Sequence, residues 1–191
     1  MSNPAFTYNG KPYSFNDVAI KFHQVRMQLP GVLATVAVNY FKDSFRRQGW
    51  RNRSLTPWQK RANEKSKKNK GRSILVSSGR LRNSIHTIQA TPQMIVVGTS
   101  VPYAQAHNEG FTGTVNVRAH TRAQTRKVKE DYTTKKGNVR SRTFRQNTGT
   151  TFQVRAHTRK MNLPQRQFMG ESEVLNLKID QTFTRAIDTI F

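Results

Sequence analysis

Six residues, VRAHTR, stand twice in this chain, at Val117–Arg122 and at Val154–Arg159. The repeat narrows the architecture to three options: a duplicated binding domain, a pair of catalytic histidines, or two halves of one structural device. The copies are 37 residues apart, yet the sequences flanking them differ. A solenoid repeats a whole hydrophobic pattern from unit to unit, so stacked repeats are excluded. Read with the two-residue period of a strand, the copies make sense. Val115, Val117, Ala119 and Thr121 share one face, and Asn116, Arg118, His120 and Arg122 share the other. In the second copy Phe152, Val154, Ala156 and Thr158 face one way and Gln153, Arg155, His157 and Arg159 the other. Each strand thus has a modestly apolar side and a basic side. Joined through residues 123–151, the two form a long hairpin, with a flexible tip at 123–150. Like charges directly across a ladder repel. The expected register therefore sets Arg118 against His157 and His120 against Arg155, which avoids an Arg118–Arg155 pair.

The formal charge of +23 is unevenly spread. Residues 42–82 hold 14 Lys/Arg against Asp43 and Glu64, and residues 112–160 hold 13 against Glu130 and Asp131. The rest of the chain balances six basic residues with six acidic ones. A neutral body with two strongly positive segments suits nucleic acid, an anionic membrane or an acidic protein as partner. A length of 191 residues suits a single domain over 1–191 and can bury a core. Cysteine is absent, which excludes disulfides, thiol catalysis and Cys-based metal sites. No apolar run reaches the ~18 residues of a membrane span, and the opening MSNPAFTYNG lacks a basic-then-apolar signal pattern. The expectation is a soluble protein made and assembled inside a cell, with no membrane partner.

The remaining elements follow from local pattern. Phe6–Phe15 reads as a short hairpin turning at Asn9-Gly10, with Pro12 restricting it to an edge. Ser14 and Asp17 have capping-box-like spacing ahead of Val18, Phe22, Val25 and Leu29. Val32, Leu33, Val36, Val38, Tyr40, Phe41 and Phe45 continue as helix to about Gln48, with Gly49 as the stop. Pro30-Gly31 between the two runs allows two antiparallel helices or one bent helix. Residues 50–73 are a basic loop or a solvated helix, with Thr56-Pro57 as the helix start. Leu81–Ile85 reads as a helical turn. Ile85–Ala90 and Met94–Gly98 read as a hairpin around Thr91-Pro92-Gln93, and Pro102–Glu109 as a short helix ended by Gly110. Glu171 to Phe191 closes the chain as an amphipathic helix.

No catalytic constellation stands out. His120 and His157 lie among arginines with no carboxylate on their face, the opposite of a cation site. His107-Asn108-Glu109 has the H-x-E of zinc deaminases without the cysteines that chemistry needs, so His107 and Glu109 are expected to cap or orient a short helix. Ser77, Ser78 and Ser84 lack a nucleophile elbow, and no Walker or Rossmann phosphate loop is present. Catalytic residues, cofactors and metals are therefore all expected to be none.

The order of short segments carries a resemblance. ILVSSGRLRNSI, a strand pair ending IVVGTSVPYAQAHNEG, the later VRAHTRKMNLPQRQFMG and the closing helix together resemble phage virion-morphogenesis proteins. These include tail-completion and head–tail joining proteins of Mu-type and related tailed phages. LTPWQK is similar to the segment before the central block, and the likeness spans roughly residues 14–190. The basic insertion at 123–150 departs from the compact pattern. The resemblance implies an α+β subunit, a small antiparallel sheet against N-terminal and C-terminal helices, and the reading of the repeat adds 112–160 as an extended basic hairpin arm. It further implies a homo-oligomeric ring, commonly a hexamer, at the neck or upper tail of the virion, assembled in the host cytoplasm with other neck and tail proteins. In such a ring Arg80, Arg82, Arg118, Arg122, Arg126, Lys127, Arg140, Arg142, Arg155 and Arg159 are candidate contacts to a partner or to DNA in the channel. Tyr103, Val117, Val154, Phe168 and Met169 are candidate subunit-interface residues. The competing reading is a free, non-specific nucleic-acid-binding protein.

Overall fold

A computed structural model of the chain describes residues 6–8, 11–64 and 69–190. Among these, four helices and ten strands divide between two compact units, residues 1–111 with 163–191 and residues 112–162.

The first unit is α+β. β1 (Phe6–Tyr8) and β2 (Lys11–Tyr13) pair antiparallel as expected, and the turn at Asn9-Gly10 lies outside the described residues. α1 (Phe15–Arg47) follows as one continuous helix through Pro30, about 50 Å long at ~1.5 Å per residue. Ser14 starts it, its Oγ accepting the Asp17 N–H at 3.1 Å, and Asp17 complements the positive end of the helix dipole. Of the two readings at Pro30-Gly31, the single helix is found. Ala34, Ala37, Phe41, Ser44 and Phe45 recur at helical spacing beyond the proline and are all buried. The helix ends at Gln48, which adopts a left-handed φ of 56° and donates its N–H to Ser44. Its side-chain amide donates to the carbonyls of Phe45 at 2.6 Å and Ile74 at 3.2 Å, so Gln48 ties the helix end to the chain at Ile74. Gly49 does not terminate the helix; it opens β3 (Gly49–Arg51). There a Cβ would stand 2.5 Å from the Thr56 carbonyl oxygen.

β3 pairs with β4 (Leu55–Pro57) where a basic loop, or a helix starting at Thr56-Pro57, is expected, and among the described residues of 50–73 no helix forms. A residue before proline is held extended, and Trp58, just beyond, is buried with its indole N–H bonded to the Gln167 carbonyl at 2.7 Å. α2 (Arg80–Asn83) and the hairpin β5 (His86–Ala90) with β6 (Ile95–Gly98) stand where expected, with a register shift between Thr87 and Gln89. α3 (Ala104–Asn108) precedes Gly110. α4 (Glu173–Asp188) starts two residues beyond Glu171, because Ser172 supplies the cap through its Oγ, 3.3 Å from the Leu175 N–H.

An aromatic cluster organises this unit. Phe45 meets Trp58 at 5.5 Å and Phe168 at 5.2 Å between ring centroids, and Trp50 lies 5.9 Å from Tyr40 and 6.2 Å from Phe41. The Tyr40 hydroxyl bonds the Arg51 carbonyl and lies 2.6 Å from Ser172 Oγ, so one buried polar node joins α1, β3 and the start of α4.

The second unit is a pair of tandem ladders. β7 (Phe111–Val117) pairs with β10 (His157–Leu163), and β8 (His120–Thr133) with β9 (Val139–Val154). Through residues 123–150 the ladder continues to a turn at Thr134–Asn138. There Gly137, at φ +79°, donates its N–H to Thr134. No residue of 112–162 is buried. Every sheet in the described residues is small, with two strands, and with the N-terminal and C-terminal helices this gives the α+β class expected.

Candidate functional site

The repeated sequence sits where both legs of the second unit break. β7 ends at Val117 and β8 begins at His120; β9 ends at Val154 and β10 begins at His157. Each copy of VRAHTR therefore contributes its Arg-Ala pair to a gap between ladders. His120 Nδ1 lies 3.0 Å from the Arg118 carbonyl, and His157 Nδ1 lies 3.0 Å from that of Arg155. The imidazole N–H satisfies a carbonyl that the ladder has released. His86 makes the same contact to the Ser84 carbonyl, at 2.7 Å, where β5 begins. The histidines are local backbone caps.

This break overturns the expected register. His120 pairs with Val154 and Arg122 with Phe152, one residue away from the expected ladder, while Arg118 and Arg155 belong to neither ladder. The repulsion argument required unbroken strands; with both arginines in gaps, their charges have no part in choosing the register. A one-residue slip inverts facing, so basic residues of one leg share a side with apolar residues of the other. The segregated apolar and basic faces are not found. Val117 and Val154 are half-buried, while Ala119 and Ala156 are exposed.

Beyond a bulge at Ala123–Thr125, the candidate cations fall on opposite faces of β8–β9. Arg126, Arg140 and Arg142 share a side with Val128, Tyr132 and Phe144. There Arg142 bonds Glu130 at 2.7 Å and lies 5.7 Å from the ring centres of both Tyr132 and Phe144. Lys127 is on the other side, directly opposite Arg145 and next to Lys129. Arg142 is thus occupied internally, whereas Lys127, Lys129 and Arg145 have no carboxylate within ion-pair distance among the described residues. Lys129 and Arg145 escape sequence reading because only the pairing shows them beside Lys127. Arg159 lies exposed in β10.

In the first unit the H-x-E motif resolves into a scaffold whose working residue is the middle one. Asn108 Oδ1 accepts the backbone N–H groups of Phe168 at 2.9 Å and Met169 at 3.0 Å. Glu109 accepts from Gln105 at 3.1 Å. His107 is half-buried with no partner for Nδ1, and burial, then the nearby Arg166 charge, holds its pKa below the usual histidine range. Phe168, 1 % exposed, fills the core of its own chain against Phe45. Met169 is half-buried beside it, and Tyr103 is exposed, edge-on to His107 at 5.9 Å. Arg80 and Arg82 stand on α2, Arg80 exposed and Arg82 half-buried. Among the described residues, no three His, Asp or Glu side chains come together to hold a metal, and no helix is long and apolar enough to cross a membrane.

The first half of α1 carries large apolar side chains in the open. Phe22, Met27 and Val32 are each about half exposed, and a groove of about 560 Å³ runs between α1, the β5–β6 turn and α4, lined by Phe22, Leu29, Met94 and Phe183. An open apolar groove of this kind is a candidate contact site for another molecule. The model of the phage virion morphogenesis family matches residues 26–188. The chain belongs to that family. The family match runs from within α1 to the last residue of α4, so it takes in the aromatic core and both legs of the hairpin. No curated protein and no solved structure matches the chain. Membership gives this virion-morphogenesis protein a phage structural or assembly role, and such a family is typically structural rather than enzymatic.

Proposed function

We propose that the chain is a tail-completion or tail-terminator subunit that forms a homo-oligomeric ring, commonly a hexamer, at the head–tail junction. There it caps the tail tube and joins it to the head, without catalysis and without a cofactor. The observation that carries this reading is the exposed apolar half of α1 with its adjoining groove, in a chain of the virion morphogenesis family. Two further features support it. Each two-stranded sheet leaves outer edges that no other strand of the described chain covers, and a neighbouring subunit can pair with such an edge. A closed ring uses head-to-tail contacts between unlike surfaces, which an apolar groove and an extended hairpin provide. Tyr103, Met169, Val117 and Val154 remain the proposed seam residues. Phe168 serves the subunit's own core. Other neck and tail proteins are the proposed partners, with non-specific DNA contact in the channel.

Electron microscopy of assembled tails tests this directly: density for the subunit is expected as a ring at the upper end of the tail. Size-exclusion chromatography with light scattering, paired with DNA titration across salt, addresses the second reading. That reading, a free nucleic-acid-binding protein, is favoured by the Lys127, Lys129 and Arg145 face. A monomer at every concentration that binds DNA tightly at moderate salt would sink the ring in favour of it.

A further inference from the structure

The residues outside the two basic segments balance in charge along the sequence, but folding redistributes them. Lys178 and Arg185, from the C-terminal helix, line one groove with Lys42, Arg46 and Arg47 of α1 and Arg82 of α2. The groove has a volume of about 690 Å³, and Asp43 is its one carboxylate, which gives six positive side chains against one negative. Asp43 is already committed: Arg46 bonds it at 2.6 Å and Arg47 bonds it as well. Burial raises the Asp43 pKa, but the bonds and charges of Arg47 and Arg46 more than offset this and hold it below the usual carboxylate range. Lys42, Arg82, Lys178 and Arg185 have no carboxylate within ion-pair distance among the described residues. Four unpaired cations converging on one concave surface repel each other, and an anion placed among them relieves that repulsion.

We propose that this groove between α1, α2 and α4 binds an acidic peptide segment of a partner protein other than this chain. The partner is another protein because this chain has only ten Asp and Glu against 33 Lys and Arg. Several of those acids are already paired: Glu130 with Arg142, Glu173 with Arg53, and Glu64 with Arg61. A second copy has little to offer the groove but more positive charge. The occupant is peptide because guanidinium groups match carboxylates two bonds at a time, and the lining amides of Asn39 and Gln181 suit a peptide main chain. Single-stranded nucleic acid would need a free aromatic platform. The one aromatic ring here, Tyr40, is buried, with Lys178 5.5 Å from its centre. This goes beyond the ring assignment by naming a site and the chemistry of its partner.

The test is fluorescence anisotropy on the full chain with two labelled probes, an oligoglutamate peptide and a short DNA duplex, over a salt series. Lys178→Glu with Arg185→Glu is expected to weaken peptide binding at least about tenfold. Lys127→Glu with Arg145→Glu, the same change in net charge placed on the hairpin, is expected to change it less than about twofold. Lys178→Gln with Arg185→Gln gives a smaller loss in the same direction and decides the matter if the glutamate variant does not fold by circular dichroism. Equal losses from groove and hairpin variants, or no loss from the groove variants, would overturn the proposal. So would a groove variant that loses the duplex and keeps the peptide, which would assign the groove to nucleic acid. Because the ring is judged in assembled tails, either idea can fail while the other stands.

Discussion

The two units are ordered by different physics. Residues 1–111 with 163–191 enclose an aromatic interior, in which Phe45, Phe168 and Ile85 are almost fully buried. Residues 112–162 contain no fully buried residue. Their order comes from backbone ladders and cross-strand pairs such as Arg142 with Glu130 and Ser141 with Asp131, each contributing about 0.2–1 kcal/mol. An interior makes substitutions expensive and cooperative, whereas a ladder open to water on both faces spreads small contributions along its length. Charge can therefore accumulate on the hairpin at little structural cost, and the body carries the stability of the fold.

The sharpest way to break this contrast is Phe45→Ala. The cavity beneath Trp58 and Phe168 is expected to cost about 3–5 kcal/mol, read as a lower urea midpoint. A shift below about 1 kcal/mol would mean the aromatic cluster is not what holds the body together. Ser172→Ala removes a helix cap and one member of the Tyr40–Arg51 node, with an expected loss of about 1–2 kcal/mol in the same measurement. The body should also respond to acid through His107. Its pKa is lowered in the folded state from a reference value of 6.5, so below that value the unfolded chain binds a proton that the folded chain refuses. Stability is complete above about pH 6.5 and declines as pH falls from there toward the lowered folded pKa. Urea midpoints at about pH 7.5 and pH 5.5 are expected to differ in that direction, and His107→Gln to flatten the slope. Smallest of all is Arg142→Ala, which removes an ion pair and two ring contacts from the hairpin for less than about 1 kcal/mol. Faster amide exchange within 125–147, with the body's urea midpoint unchanged, would confirm that the two units answer separately.

The sequence carried local elements well and their joins poorly. Ser14 before Val18 and Phe22, the Thr91-Pro92-Gln93 turn, and the closing amphipathic helix were legible because cap, turn and period act within a few residues. Thr56-Pro57 misled, since the same dipeptide that starts a helix also suits an extended strand, and the buried Trp58 settles which. Pro30-Gly31 left two readings open, since burial of Ala34, Phe41 and Phe45 beyond it, not the dipeptide, accompanies the unbroken helix. For the candidate surface, the segments were legible as charge, but the grouping was not. Arg126 and Lys127 are neighbours in sequence and stand on opposite faces, while Lys178 and Arg185 come from outside the two basic segments and line a groove with Lys42, Arg46, Arg47 and Arg82.

VRAHTR shows where the division falls. The sequence by itself raised the reading of the two copies as legs of one hairpin through their repetition, while the alternation of faces read beside it does not survive the observed register. It also determined the family and the absence of thiol chemistry. Only the tertiary structure decided that each copy marks a break between ladders, that histidine caps the freed carbonyl, and which cations converge. Those outcomes depend on which backbone groups are left without a partner and which side chains meet across the fold, and neither is written in the spacing of residues along one chain.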